Sequence, residues 1–158
     1  MGCGKTAVAG ILAARLGCQM VDLDERITNL RGHTPAEVIS QQGEQVFRSI
    51  ESAALEELLR SGFEGVVALG GGCWIQSANR VLLAEHKAIT VWIDTPFEVC
   101  WQRIEVGQEV RPLAPTKEAA RALFERRRNI YELADIGISG SHVEAEQIAQ
   151  QVELALRG

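Results

Sequence analysis

A lysine among glycines, two closely spaced aspartates and a few separated arginines are the residues of this chain with the types and spacing to handle phosphate. The chain opens Met1-Gly2-Cys3-Gly4-Lys5-Thr6, which fits the end of the phosphate-loop pattern G-x-x-x-x-G-K-[ST]. The first glycine of that pattern would fall two positions before Met1. Backbone N–H groups of residues 2–6 can wrap phosphates, and small residues let the backbone come close. Lys5 brings a compact positive charge to the β- and γ-phosphates, and the Thr6 hydroxyl can ligate Mg²⁺. Gly2, Cys3, Gly4, Lys5 and Thr6 are therefore candidate ATP-binding residues. The alternative is a plain glycine-rich turn before a helix.

The elements that must hold this loop follow from the pattern behind it. Val8, Ile11, Leu12 and Leu16 recur at helical spacing, with Gly17 placed to end the helix. Apolar runs at 19–24, 66–69, 88–93 and 136–138 read as strands. They alternate with helical patterns at 35–42, 45–60, 79–85, 97–103, 117–134 and 144–156. Continuous apolar strands alternating with helices predict an α/β fold, a parallel sheet covered on both faces. Ligands in such folds sit at the carboxyl ends of the strands. The phosphate loop, Asp22 with Asp24, and the turn Gly70-Gly71-Gly72 all fall at such ends. Residues 106–115 are polar, punctuated by Gly107, Pro112 and Pro115, and carry Arg111. That composition suggests a mobile lid, with an ordinary surface loop as the alternative.

Composition narrows the classes. With 158 residues and 46% apolar content, the chain reads as one domain with a sizeable core. No apolar run approaches the ~20 residues of a membrane span, and the N-terminus lacks the basic and apolar stretches of a secretory leader. Cys3, Cys18, Cys73 and Cys100 are scattered, which favours reduced cytoplasmic thiols over disulfides or zinc. A net charge of −5 gives no support for a nucleic-acid surface.

Taken in order, Gly-Cys-Gly-Lys-Thr, Val21-Asp22-Leu23-Asp24, the block from Gly43-Glu44 through Phe47-Arg48 to Glu51, Leu69-Gly70-Gly71-Gly72, Val110-Arg111-Pro112-Leu113 and Arg126-Arg127-Arg128-Asn129-Ile130-Tyr131 closely resemble shikimate kinase. The resemblance runs from Met1 to the C-terminal helix. It implies a P-loop kinase three-layer fold, a five-stranded parallel sheet flanked by helices, over a single domain 1–158. Within it the substrate-binding segment would span about 23–53 and the lid about 105–118. It implies transfer of the γ-phosphoryl of ATP to the 3-hydroxyl of shikimate, with Mg²⁺ as cofactor. ATP and shikimate would be the partners of a cytoplasmic monomer that touches neither nucleic acid nor membrane.

The same resemblance assigns roles. Lys5 and Thr6 would take the nucleotide phosphates and Mg²⁺, and Asp22 would hold the metal through water. Asp24 would bind the shikimate hydroxyls and orient the attacking group or accept its proton. Arg48 and Arg127 would grip the substrate carboxylate, with Gly71 and Gly72 letting backbone approach the ring. Arg111 would be the lid arginine, acting on ATP and in catalysis, and Arg103 the nearest match for an adenine-packing arginine. Physical chemistry agrees: an arginine fork matches a carboxylate bidentately, and phosphoryl transfer asks for in-line positioning and charge neutralisation. Blander readings remain for each residue alone. Asp22 and Asp24 could be a helix cap and a solvated acid, and Arg48 with Glu51 a surface ion pair. Arg126–Arg128 could be a solvated basic face, and the glycines a simple turn. Trp74, Trp92 and Trp101 read as packing, and the three histidines have no matching partners.

One part of the resemblance is missing from the given chain. The family's first strand would lie centrally, between the strand ending near Gly70 and the one ending at Asp94. Losing about five buried apolar side chains would remove roughly 8–15 kcal/mol, against a typical domain stability of about 5–15 kcal/mol. The expectation is a natural start some ten residues earlier, with a damaged or repurposed relative as the alternative. Two functional competitors follow: a gluconate kinase, and a non-catalytic binding module.

Overall fold

The computed structural model describes residues 2–107, 112–141 and 143–157. Helix α1 (Lys5–Leu16) starts from Gly4 in the left-handed region (φ 87°) and stops at Gly17, whose N–H returns to the carbonyls of Ala13 and Ala14. Strand β1 (Gln19–Asp22) runs straight into α2 (Leu23–Arg31). The sequence predicts extended chain through residue 24. The Asp22 side chain instead accepts from the N–H groups of Asp24 and Glu25 and caps a new helix. Helix α3 (Pro35–Gln42) opens with a Thr34–Glu37 capping box and proline in its first turn. Helix α4 (Glu44–Arg60) follows at once, then β2 (Gly65–Ala68), α5 (Ser77–Glu85) and β3 (Val91–Asp94). Helix α6 (Phe97–Gly107) runs past its predicted end, with no breaker before Gly107. Helix α7 (Lys117–Tyr131), capped by Thr116, then β4 (Ile136–Ser139) and α8 (Ala145–Arg157) complete the described chain.

The four strands among the described residues form two parallel pairs, β1 with β2 and β3 with β4. Asp22 sits opposite Ala68 and Asp94 opposite Ser139, so both pairs end in polar positions on the carboxyl side. The expected continuous sheet is thus interrupted: β2 and β3 share no ladder, and Val91 at the start of β3 keeps 37% of its surface exposed. What unites the pairs is helix packing. Val8 and Leu12 of α1 and Ile148, Ala149 and Val152 of α8 form one apolar cluster with Ile93, Val66 and Ile138. A second cluster, with Leu23, Ile27, Val38, Phe47, Leu55 and Cys73, ties α2, α3 and α4 beneath the glycine turn. A third joins Phe97 and Ala120 to Ala114, so the far end of the predicted lid is anchored in apolar contacts.

Candidate active site

The phosphate loop takes its shape from glycine. Gly2 and Gly4 both have positive φ, 63° and 87°, and a Cβ on Gly2 would run into the Cys100 carbonyl of α6. The loop ends at the N-terminus of α1, where unpaired N–H groups and the helix dipole favour an anion. Lys5 is half-buried and Thr6 exposed. The Thr6 hydroxyl donates to Asp22 Oδ2 at 2.7 Å, while Asp22 Oδ1 accepts from the Asp24 N–H at 3.0 Å. Asp22 is therefore a helix cap and a partner of the loop at once. From the other side, Arg103 Nη1 donates to the Gly2 carbonyl at 3.4 Å.

The second half of the site converges on the glycine turn after β2. Arg48 of α4 donates from Nη1 to Glu51 Oε2 at 2.7 Å and from Nε and Nη2 to Glu44 Oε1 at 3.2 Å. A Cβ on Gly72 would collide with the Arg48 guanidinium, so a side chain there would displace Arg48 from its carboxylates. Across the turn, a Cβ on Gly71 would lie 2.8 Å from the Tyr131 hydroxyl and 3.7 Å from Arg127 Nη1. A Cβ on Gly70 would lie 2.6 Å from Glu51 Oε1 and 3.0 Å from Asp24 Oδ1. Three consecutive glycines therefore give close approach to Asp24 with Glu51, to Arg127 with Tyr131, and to Arg48.

Electrostatics separate Glu51 from an ordinary surface ion pair. Glu51 is 0% exposed, and its Oε1 is buried without a hydrogen-bond partner. Burial pushes its carboxyl up to about 7; Arg48 opposes that shift, and the charge of Asp24 adds to it. Burial also opposes ionisation of Arg48, yet Glu51 and then Glu44 outweigh it and raise its pKa. The partners respond differently because Arg48 has two carboxylates, while Glu51 has one bonded oxygen and no access to water.

Among Arg126, Arg127 and Arg128, only the middle residue reaches this turn. Arg126 is exposed. Arg128 grips Asp94 bidentately at 2.8 and 2.7 Å and stacks over Trp92. Trp74 donates from its indole to the Ile130 carbonyl at 2.8 Å, and Trp101 stacks on Phe97, so all three tryptophans serve packing. Arg111 lies outside the described residues, as do lid residues 108–110, whereas 105–107 form the end of α6. Tyr131 ends one of the sequence motifs but has no role in that reading, although its spacing of four from Arg127 places both on one helix face. Glu51 was visible only as one end of an ion pair.

A glycine-shaped loop at a helix N-terminus, beside a turn that gathers Asp24, Arg48 and Arg127 at the carboxyl ends of parallel strands, fits the class of P-loop phosphotransferases. The family model described as Shikimate kinase matches residues 1–157. The shikimate kinase of Cereibacter sphaeroides is 37% identical over 99% of this chain and 78% of its own length. That of Persephonella marina is 35% identical over 96% of this chain and 92% of its own. Among solved structures, the Acinetobacter baumannii shikimate kinase in complex with shikimate matches with a TM-score of 0.88 and 31% identity, covering 99% of this chain and 88% of that one. The Aquifex aeolicus enzyme matches with a TM-score of 0.82 and 30% identity, over 100% and 92%. The chain belongs to the shikimate kinase family. It is an ATP-dependent enzyme that phosphorylates the 3-hydroxyl of shikimate, giving shikimate 3-phosphate and ADP. Both competing readings, the gluconate kinase and the non-catalytic module, give way to this assignment.

Proposed function

We propose that the cleft around Gly70, Gly71 and Gly72 is the shikimate site and that residues 2–6 are the ATP site. The observation that carries this reading is the meeting of Asp24, Arg48 and Arg127 at one glycine turn. The Thr6–Asp22 hydrogen bond joins the phosphate loop to the end of β1, two residues before Asp24. Arg48 and Arg127 bind the substrate carboxylate, which fixes the ring. Backbone at Gly71 and Gly72 lies close beneath it, and Asp24 accepts from the 3-hydroxyl. That oxygen attacks the γ-phosphorus in line, the bond to the β–γ bridging oxygen breaks, and the hydroxyl proton passes to the Asp24 carboxylate and on to solvent. Lys5 stabilises the charge spreading over the transferred phosphoryl oxygens. Arg111 adds to that stabilisation from a lid at about 105–118, and residues 23–53 form the substrate-binding segment of the single domain.

Thr6 and Asp22 present only hard oxygen donors, which fits Mg²⁺, an ion that keeps several waters and takes few protein ligands. When bound, Mg²⁺ would neutralise phosphate charge. No described helix is long and apolar enough to cross a membrane. The proposal takes the enzyme as a cytoplasmic monomer. The test of the site is steady-state ADP release with shikimate, and with gluconate as control, for the parent, Asp24→Asn and Arg48→Lys. Loss of turnover in Asp24→Asn and a raised shikimate KM in Arg48→Lys are expected. Parent-like constants in both variants would overturn the assignment.

A further inference from the structure

Tyr131 closes helix α7 one turn after Arg127, and the polar ends of both side chains meet at one glycine. The Tyr131 hydroxyl donates to the Gly71 carbonyl at 3.0 Å. With its proton committed there, the oxygen remains an acceptor. Arg127 Nη1 approaches the same glycine, 3.7 Å from where a Cβ would sit. Burial raises the phenol pKa, opposed by the nearby charge of Arg127. Tyr131 is thus a neutral phenol around pH 7, and it can orient Arg127 without cancelling its charge. Two further bonds pin this end of α7: the Trp74 indole on the Ile130 carbonyl and the Arg128 fork on Asp94.

We propose that Tyr131 is a positioning residue for the substrate carboxylate, its hydroxyl bridging the Gly71 carbonyl and the Arg127 guanidinium so that the glycine turn and one clamp arm keep a fixed separation. The inference rests on the reading of Arg127 as a carboxylate-binding residue. It separates two jobs: Arg127 touches substrate, and Tyr131 sets where Arg127 stands. Rotation of Arg127 away from the turn would leave the substrate held by Arg48 alone. The nucleotide loop, built on α1, would not sense the change.

The experiment uses the full chain with Tyr131→Phe, Gly71→Ala, their combination, and Arg127→Lys as a control on the clamp. Shikimate and ATP are varied separately, and melting temperature is recorded. Tyr131→Phe should raise the shikimate KM about tenfold, the scale of one lost hydrogen bond to a charged group. Its kcat and ATP KM should stay within about twofold of the parent. Gly71→Ala should hurt shikimate binding more in the parent than in the Tyr131→Phe background, because the nearest atom to the new methyl is the oxygen that Phe lacks. An unchanged shikimate KM in Tyr131→Phe, with Arg127→Lys still raising it, overturns the positioning role and leaves the clamp standing. An unchanged shikimate KM in Arg127→Lys removes the clamp reading and the inference together. A Tyr131→Phe chain that fails to fold, or melts well below the parent and loses affinity for both substrates, makes the residue structural and overturns the proposal.

Discussion

The proposed shikimate clamp at the glycine turn and the proposed phosphate loop before α1 are built by opposite means. Around the glycine turn, Arg48 is ion-paired with Glu51 and Glu44, while Arg127 has the neutral Tyr131 phenol nearby at Gly71. The loop keeps Lys5 half-buried and Thr6 exposed at a helix N-terminus, with Asp22 as a side-chain partner from β1. On the proposed reading, one substrate carboxylate meets two guanidinium groups, and Glu44 and Glu51 supply counter-charge to Arg48. A nucleotide polyphosphate brings its own excess of charge, and a loop of free donors suits it. The clamp should therefore couple binding to stability, and the loop should not.

The strongest way to break that contrast is Arg48→Ala. It leaves Glu51 buried without its hydrogen-bond partner, which costs about 1–3 kcal/mol of stability. Shikimate affinity should fall by about 2–5 kcal/mol as well, with the ATP KM little changed. Denaturant melts and KM measurements check both, and a chain as stable as the parent would erase the contrast. Next is Lys5→Ala, expected to lower kcat about 10²–10³-fold, the scale for removing one transition-state charge donor. Its stability should move by no more than about 0.5 kcal/mol. A drop in melting temperature like that of Arg48→Ala would make the loop structural too.

Glu51 sharpens the comparison through pH. Its carboxyl rises from an ordinary 4.5 to about 7 in the fold, so the native state holds this proton more tightly than the unfolded chain. The stability linked to it is fully present below about 4.5 and is lost as pH rises through about 7. Glu51→Gln removes that titration, and its stability relative to the parent should climb across this window. Parallel stability curves from pH 4.5 to 7 would show that Glu51 stays ionised. The smallest effect belongs to Arg128→Ala. Its ion pair with Asp94 is 41% exposed on the arginine side, and such pairs contribute about 0–1 kcal/mol. Parent-like shikimate kinetics are expected, which would distinguish this arginine from its neighbour Arg127.

Much of this was legible in residue order. Helix α3 was readable end to end because proline, a capping box and apolar spacing agree there. The strand read at 136–138 became β4 for a similar reason, short apolar chain between turn residues. Helix α2 was not legible, because its start depends on Asp22 folding back to cap it, and the apolar run through Leu23 reads equally well as strand. The resemblance selected Arg127 from three adjacent arginines, and α7 shows why its neighbours differ: one points to solvent and one to Asp94.

Composition and spacing by themselves determined that this is an α/β chain and pointed to a phosphate loop, and the ordered motifs named the substrate. They could do so because backbone geometry at Gly4 and the reach of Lys5 are local properties. Only the tertiary structure decided that Glu51 is buried, that Gly72 lies against the Arg48 guanidinium, and that Tyr131 and Arg127 both reach Gly71. Each of these depends on helices α4 and α7 meeting the turn after β2, segments tens of residues apart in the chain, and contacts at that range have no signature in local periodicity.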